Sequence, residues 1–140
     1  MIDENTINNL LDKAKNMLNF SYTPYSHFKV GAALLTKDSK IYTGCNIENA
    51  AYAPTMCAER TAIFKAVSEG CTDFEAIAIV GGKNGIIEDF CPPCGVCRQV
   101  MMEFCNPKTF KIYLQNREGI IKEFTLEEML PLGFGPASLE

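Results

Sequence analysis

The chain carries the segment Cys57-Ala58-Glu59-Arg60 and, further along, the segment Pro93-Cys94-Gly95-Val96-Cys97. The three cysteines of these segments can fill three of the four tetrahedral positions around a zinc ion and leave the fourth position to water. The glutamate, two residues after the first cysteine, has a carboxylate that can move the protons of such a water. The pattern therefore predicts a zinc site with an open position, in which the ligands are Cys57, Cys94 and Cys97 and the proton carrier is Glu59.

Both segments are also placed at the beginning of a predicted helix. Pro54 lies shortly before Cys57, and Pro92 and Pro93 directly precede Cys94, so the thiols fall in or next to the first turns of two helices. Unpaired N–H groups and the positive end of the helix macrodipole favour the thiolate over the thiol there, and the thiolate is the form that binds zinc. Two helix starts are therefore expected to meet at one ion.

The hydrophobic pattern of the remaining chain predicts an α/β domain. Apolar residues spaced three and four apart indicate helices, and apolar runs between turn residues indicate strands. The predicted helices are Thr6–Leu18, Cys57–Glu69 and Cys94–Phe104, and the predicted strands are Phe28–Leu35, Ile41–Cys45, Ala76–Val80, Phe110–Leu114 and Ile120–Phe124. Gly81 and Gly82 are expected to end the third strand, and Thr125 with Glu128 resembles the capping box of a last short helix. This order predicts one domain over residues 1–140, a three-layer α/β/α fold with a five-stranded mixed sheet.

Charge and cysteine content narrow the possible partners and the compartment. The formal net charge of −4 and the pI near 5.1 disfavour a surface that binds phosphate backbones, so we expect no nucleic-acid partner. The amino terminus has no basic start followed by an apolar run, and no stretch approaches about 18 apolar residues, so we expect a cytoplasmic protein with no membrane partner. Seven cysteines in such a chain indicate metal binding or catalysis rather than disulfides. A small neutral substrate fits these features best.

Two other interpretations of the thiols stay open at the level of the sequence. Cys91 lies at CxxC spacing from Cys94, so four thiolates could form a closed structural site without catalysis. Cys94 and Cys97 could instead form a redox dithiol, although Cys57 and Glu59 would then have no role. The other thiols, those of Cys45, Cys71, Cys91 and Cys105, are expected to be packed or incidental, and the single histidine, His27, is expected to be an ordinary loop residue.

The predicted ligand set with its zinc ion carries a negative charge, which nearby positive groups are expected to offset. Three thiolates and Zn²⁺ sum to −1, which makes the ion a weaker Lewis acid than one held by histidines. The helix N-termini offset part of this charge. We hypothesise that Arg60 offsets more of it by donating a hydrogen bond to the sulfur of one ligand.

The two segments and their surroundings resemble a known family. A Glu two residues after the first ligand, followed later by PCxxC, is the pattern of zinc-dependent nucleobase deaminases. Tyr25, Ser26 and the runs Phe28–Leu34 and Gly44–Tyr52 are similar to those of the small cytidine deaminases of pyrimidine salvage, in particular the short homotetrameric type with three cysteine ligands. The resemblance extends from about Tyr22 to Phe134. It implies a cytidine deaminase-like fold with one Zn²⁺ per subunit, and hydrolytic deamination of cytidine and 2′-deoxycytidine to uridine and 2′-deoxyuridine with release of ammonia.

The resemblance also implies roles for residues outside the metal site. Asn46 and Glu48 share one face of an extended segment and would hold the ribose 3′-hydroxyl, although a polar loop cap is the alternative interpretation. Phe28 would pack against the pyrimidine ring, or serve as a core aromatic, or both. Ala58 would contribute backbone groups to the base, and Tyr52 would lie near a subunit boundary. Phe134 would reach into a neighbouring subunit's site and cover the base there. The sequence gives no role for Arg98.

Two competing functions follow from the same residues. A zinc deaminase could act on a different base, for instance on a tRNA adenosine or on deoxycytidylate, but a carboxylate at the sugar repels phosphate and so favours an unphosphorylated nucleoside. A zinc-stabilised module without turnover is the other alternative, and it leaves Glu59 unexplained.

Overall fold

The computed structural model describes residues 2–140 and contains a five-stranded mixed sheet with helices on both faces. The strands are β1 (Phe28–Thr36), β2 (Ile41–Cys45), β3 (Phe74–Lys83), β4 (Lys111–Gln115) and β5 (Ile121–Thr125). They lie in the order β2-β1-β3-β4-β5, where β3 and β4 are parallel and the other neighbouring pairs are antiparallel. The helices are α1 (Glu4–Met17), α2 (Ala58–Ser68), α3 (Gly95–Phe104) and α4 (Leu126–Met129). The predicted three-layer α/β/α fold is confirmed.

Helices cover both faces of the sheet because its central strands are apolar on both sides. Along β1, Ala33 and Leu35 point to the face that packs against α1, whereas Ala32 and Leu34 point to the face that packs against α2 and α3. Continuous apolar strands of this kind are typical of a sheet that is buried between two layers. The apolar residues that these three helices bury are Leu10, Leu11 and Ala14 of α1, Ala58, Ala62, Ile63 and Ala66 of α2, and Cys97 and Met101 of α3.

The prediction that Gly81 and Gly82 end the third strand is wrong. β3 continues to Lys83, and the two glycines pair with Val30 and Lys29 of β1. A Cβ atom at Gly82 would lie 1.8 Å from the carbonyl oxygen of Ile86, so glycine is needed where the chain folds back onto the strand. Glycine is depleted in strands, so the glycine pair suggested a turn. In the structure, a close backbone contact explains why glycine is found within the strand.

The helix ends agree with the sequence signals to within a few residues. Asp3 caps α1, and its carboxylate accepts a hydrogen bond from the Thr6 N–H at 2.7 Å. The capping box of Thr125 and Glu128 is present at the start of α4. None of the helices between residues 2 and 140 has the length and apolar character that crossing a membrane requires.

Candidate metal centre and active site

The three predicted ligand thiols come together where the first turns of α2 and α3 meet. Cys57 is the N-cap residue of α2 and Cys94 that of α3, while Cys97 lies in the first turn of α3. Their Sγ atoms lie within 4.8 Å of one another, and the Sγ atoms of Cys57 and Cys94 are 3.8 Å apart. Sulfurs about 2.3 Å from a tetrahedral zinc ion are separated by about 3.8 Å, so the spacing and the soft donors fit zinc.

The thiols of Cys57, Cys94 and Cys97 form a triad. Hydrogen bonds give the Cys57 thiol a lower pKa than the Cys97 thiol. A hydrogen bond from the Cys97 thiol, together with one from the Arg60 guanidinium, lowers the pKa of Cys57 to about 5. The same thiol pair and burial raise the pKa of Cys97. Arg60 Nη2 donates to Cys57 Sγ at 3.3 Å, so the hydrogen bond hypothesised for Arg60 is present. The guanidinium thus places a positive charge against the sulfur that carries the negative one.

Glu59 lies in the first turn of α2 with its side chain turned inward. It is only 4% exposed, and this burial raises the pKa of its carboxyl to about 7. It lines a cavity of about 160 Å³ that is also lined by Cys57 and Cys94. The other residues that line this cavity are Val30, Asn46, Thr55, Met56, Ala58, Cys91 and Pro92. A carboxyl with this pKa can both accept and donate a proton near neutral pH.

Cys91 stays outside the triad. Among residues 2–140, the only group of metal-ligating side chains with this spacing is that of Cys57, Cys94 and Cys97. The Cys91 thiol packs toward the backbone of β3, since a Cβ atom at Gly81 would lie 2.9 Å from its sulfur. Burial raises the pKa of the Cys91 thiol to about 12. The arrangement therefore does not form the closed four-thiolate site, and Cys91 contributes to the cavity wall.

The two residues predicted to bind the ribose are held by local hydrogen bonds. Asn46 Oδ1 accepts from the Val30 N–H at 2.9 Å, and Nδ2 donates to the Phe28 carbonyl at 2.8 Å. The Glu48 carboxylate accepts from the backbone N–H groups of Tyr25 and Ser26 at 3.0 and 3.1 Å, and from the Ser26 hydroxyl. Asn46 lines the cavity and Glu48 does not. In these contacts Asn46 fastens the start of β1 and Glu48 fastens the loop before it, as the polar-cap interpretation expects.

Three predicted contact aromatics lie on the protein surface rather than in the cavity. Phe28, Tyr52 and Phe134 are 42%, 72% and 58% exposed, so each retains a large face for a further contact. Tyr52 packs edge-on against Tyr25, with ring centroids 6.1 Å apart. The chain thus leaves these three rings available to a ligand or to another subunit.

Two residues of α3 that the sequence did not single out hold the C-terminal part of the chain. Arg98 donates from Nε to the Pro93 carbonyl at 2.7 Å and from Nη1 to the Met129 carbonyl at 2.5 Å. Gln99 Nε2 donates to the Phe134 carbonyl at 2.8 Å. The backbone acceptors of these bonds carry no signal in a sequence, so the partners could be identified only from the fold.

The sheet, the thiol triad and the adjacent buried carboxyl define a zinc-binding deaminase. Residues 4–113 match the family model described as the cytidine and deoxycytidylate deaminase zinc-binding region. The chain therefore belongs to the cytidine and deoxycytidylate deaminase family, and the triad within the matched residues fits one zinc ion per subunit.

Individual relatives are similar over most of their length. The chain is 48% identical to the cytidine deaminase of Sporosarcina psychrophila over 95% of this chain and 94% of the relative. It is 54% identical to the cytidine deaminase of Halalkalibacterium halodurans, over 81% and 83% of the two chains. The crystal structure of cytidine deaminase from Burkholderia pseudomallei superposes with a TM-score of 0.82 at 44% identity, over 91% of this chain and 98% of that one.

Proposed function

We propose that the protein converts cytidine and 2′-deoxycytidine to uridine and 2′-deoxyuridine by hydrolysis, with release of ammonia, as a step of pyrimidine salvage in the cytoplasm. The observation that carries this proposal is that Glu59, a buried carboxyl with a pKa of about 7, lines the same cavity as Cys57 and Cys94. Family membership and the similarity to proteins named cytidine deaminase support the choice of substrate.

In this proposal the three thiols of the triad, on Cys57, Cys94 and Cys97, hold the zinc ion. When bound, zinc supplies the Lewis acidity that makes water a nucleophile near neutral pH. Arg60 supports the ligand set by donating to Cys57 Sγ, because its positive charge offsets part of the thiolate charge.

Glu59 moves the protons of the reaction. Addition of water at C4 of the base requires a proton on the neighbouring ring nitrogen, N3, and loss of ammonia requires a further proton on the 4-amino nitrogen. Glu59 takes the first proton that water loses and passes it to N3. It then takes the proton of the new C4 hydroxyl and delivers it to the departing amine. A C–O bond is formed and a C–N bond is broken at C4, so water and cytidine give uridine and ammonia.

The remaining predicted residues recognise the nucleoside. Asn46 and Glu48 bind the ribose 3′-hydroxyl, Phe28 packs against the pyrimidine ring, and Ala58 contributes backbone groups at the base. Asn46 Oδ1 already accepts from the Val30 N–H and the Ser21 hydroxyl, but Nδ2 retains a second N–H that can donate to a sugar hydroxyl. The Glu48 carboxylate favours an unphosphorylated sugar because it repels phosphate. The net charge of −4 supports a small-molecule substrate over nucleic acid.

The active sites are shared between the subunits of a homotetramer. Phe134 reaches into the site of a neighbouring subunit, and Tyr52 lies near the subunit boundary. The exposure of both rings supports this assembly, since large aromatics with this much free surface are enriched at protein interfaces.

The variant Glu59→Ala tests the proposed chemistry. We expect it to keep zinc and fold but to deaminate cytidine at least ~10²-fold more slowly, because the proton carrier is lost while the ligands remain. The conversion is followed by the ultraviolet change from cytidine to uridine, with metal analysis and circular dichroism on the same samples. Glu103→Ala, on the exposed side of α3, is the matched control and should behave as the wild type.

Two results would contradict the proposal. One is equal turnover by the wild type and Glu59→Ala. The other is a wild-type protein that holds zinc and does not convert cytidine, which would indicate a zinc-stabilised module. Parallel reactions with deoxycytidine 5′-monophosphate and with tRNA separate the competing substrates, and faster turnover of either would also contradict it.

A further inference from the structure

The side chain of Arg98 joins two distant parts of the chain through their carbonyl groups. It contacts the carbonyl of Pro93, which directly precedes Cys94, and the carbonyl of Met129, the last residue of α4. The planar guanidinium can donate from several nitrogens in fixed directions, so one side chain holds both acceptors in a defined relation. The loop that carries Cys94 is thereby tied to the C-terminal part of the chain.

The contact to Pro93 limits a torsion that the loop would otherwise leave free. The proline rings set φ at both Pro92 and Pro93, so the plane of the Pro93–Cys94 peptide depends on ψ of Pro93. A hydrogen bond to the Pro93 carbonyl holds that plane, and with it the direction in which Cys94 presents its Sγ at the start of α3. Pro93 is buried and Arg98 is partly buried, so water competes little for this bond.

The contact to Met129 provides a fixed anchor for the guanidinium. α4 is held by its capping box and by Leu126, which is fully buried. The Met129 carbonyl lies at the C-terminal end of this helix, where carbonyls lack partners within the helix, and Arg98 supplies the missing donor. Gln99 adds a second connection between α3 and the C-terminal segment through the Phe134 carbonyl.

We propose that Arg98 is a positioning residue, which sets Cys94 in the geometry needed for zinc by bracing the Pro93 carbonyl against α4. The inference rests on the proposed function in one respect, that Cys94 is a zinc ligand. The hydrogen bonds of the Arg98 side chain go to two backbone carbonyls, so Arg98 would act through the backbone. Residues that orient metal ligands typically account for 10- to 100-fold in metal affinity, so we expect its loss to weaken zinc retention about 10-fold.

Zinc release from the loaded protein tests this role without relying on activity. Arg98→Met keeps the apolar part of the side chain and removes both donors. We expect zinc to pass to a chromophoric chelator about 10-fold faster than from the wild type. Gln99→Ala leaves the Pro93 carbonyl bound, and Arg117→Met changes an exposed arginine in the turn between β4 and β5. Both controls should release zinc at the wild-type rate.

Arg98→Lys keeps the proposal falsifiable if Arg98→Met does not fold. A single ammonium group can reach one carbonyl only, so we expect a smaller increase in the zinc release rate. Zinc release at the wild-type rate from the folded Arg98 variants overturns the proposal, even if their melting temperature falls, because Arg98 would then serve stability alone. Cytidine turnover is measured separately, and its absence in the wild type would count against the proposed function without altering this comparison.

Discussion

At the scale of single residues, the thiols of this chain differ widely in their expected reactivity. Hydrogen bonds from Cys97 and Arg60 lower the pKa of Cys57 to about 5, whereas burial raises that of Cys105 to about 12. The thiolate is the reactive form, so at neutral pH Cys57 is charged and Cys105 is neutral. In the protein without zinc, the Cys57 thiolate lies next to the guanidinium of Arg60.

This difference predicts an unusual pH dependence for Cys57. After removal of zinc under reducing conditions, Cys57 should react with iodoacetamide at a rate that is nearly constant from about pH 6.5 to 8.5, since the lowered pKa leaves it as thiolate throughout. The rate should fall below about pH 5, where the thiolate is protonated. The reaction rate of an ordinary thiol, with a pKa of about 8.5, rises about 50-fold from pH 6.5 to 8.5. Peptide mapping by mass spectrometry gives the rate for each cysteine.

Two samples serve as controls for this measurement. Zinc should protect Cys57 in the loaded protein. Arg60→Gln should shift the pH profile to higher pH, because the positive charge next to the thiolate is lost. A Cys57 rate that rises about 50-fold from pH 6.5 to 8.5 in the zinc-free wild type, as for an ordinary thiol, would contradict the prediction.

At the scale of elements, the metal site depends on how closely β2 approaches α2. A Cβ atom at Gly44 would lie 2.4 Å from the Ala58 carbonyl oxygen and 2.6 Å from the Ala62 nitrogen. Only glycine allows this contact, which seats the first turn of α2 against the sheet. That turn follows Cys57 and contains Glu59, so the strand determines the position of both the first thiol and the carboxyl.

Gly44→Ala should therefore disturb the site as well as the fold. The added methyl group has to displace helix backbone, and such overpacking costs about 1–3 kcal/mol of unfolding free energy. We expect a lower urea midpoint together with faster zinc release, since the start of α2 moves relative to α3. Gly95→Ala is the matched control, because a Cβ atom there meets no atom within 4 Å. Unchanged stability of Gly44→Ala would show that the contact can relax without cost.

At the scale of the whole molecule, α3 connects the metal site to Phe134, an exposed aromatic residue that follows α4. The helix carries Cys97, and its Gln99 holds the carbonyl of Phe134. The Phe134 ring itself projects outward, with 58% of its surface exposed. One rigid helix thus fixes the position of two groups that, in the proposed tetramer, serve two different active sites.

Shared active sites predict that two defective subunits can complement each other. Glu59→Ala retains Phe134, and Phe134→Ala retains Glu59, so a mixed tetramer contains some sites with an intact copy of both. Coexpressed subunits with different tags, purified over both tags, should deaminate cytidine at low substrate concentration faster than the mean of the two separate variants. Sedimentation checks that the samples are tetramers. A rate equal to that mean, or a monomer in sedimentation, would contradict the shared-site assembly.

The order of the elements and the kind of metal site could be predicted from the sequence because both depend on local patterns. The alternation and spacing of apolar residues indicated the five strands and the helices, and CxE with PCxxC indicated three thiols and a carboxylate at two helix starts. The capping box at Thr125 was equally local and is present. The residues assigned to substrate contacts came from resemblance to a family, and they stay predictions.

What only the tertiary structure decided were contacts between residues far apart in the chain. The sequence by itself could not show that Cys91 lies apart from the triad, that Gly81 and Gly82 continue a strand, or that Arg98 binds the Pro93 and Met129 carbonyls. The pKa of Glu59 belongs to the same group, because burial depends on what packs around a carboxyl and not on its neighbours in sequence. Local patterns determined which chemical groups the chain brings to the site, and packing determined their distances, partners and charges.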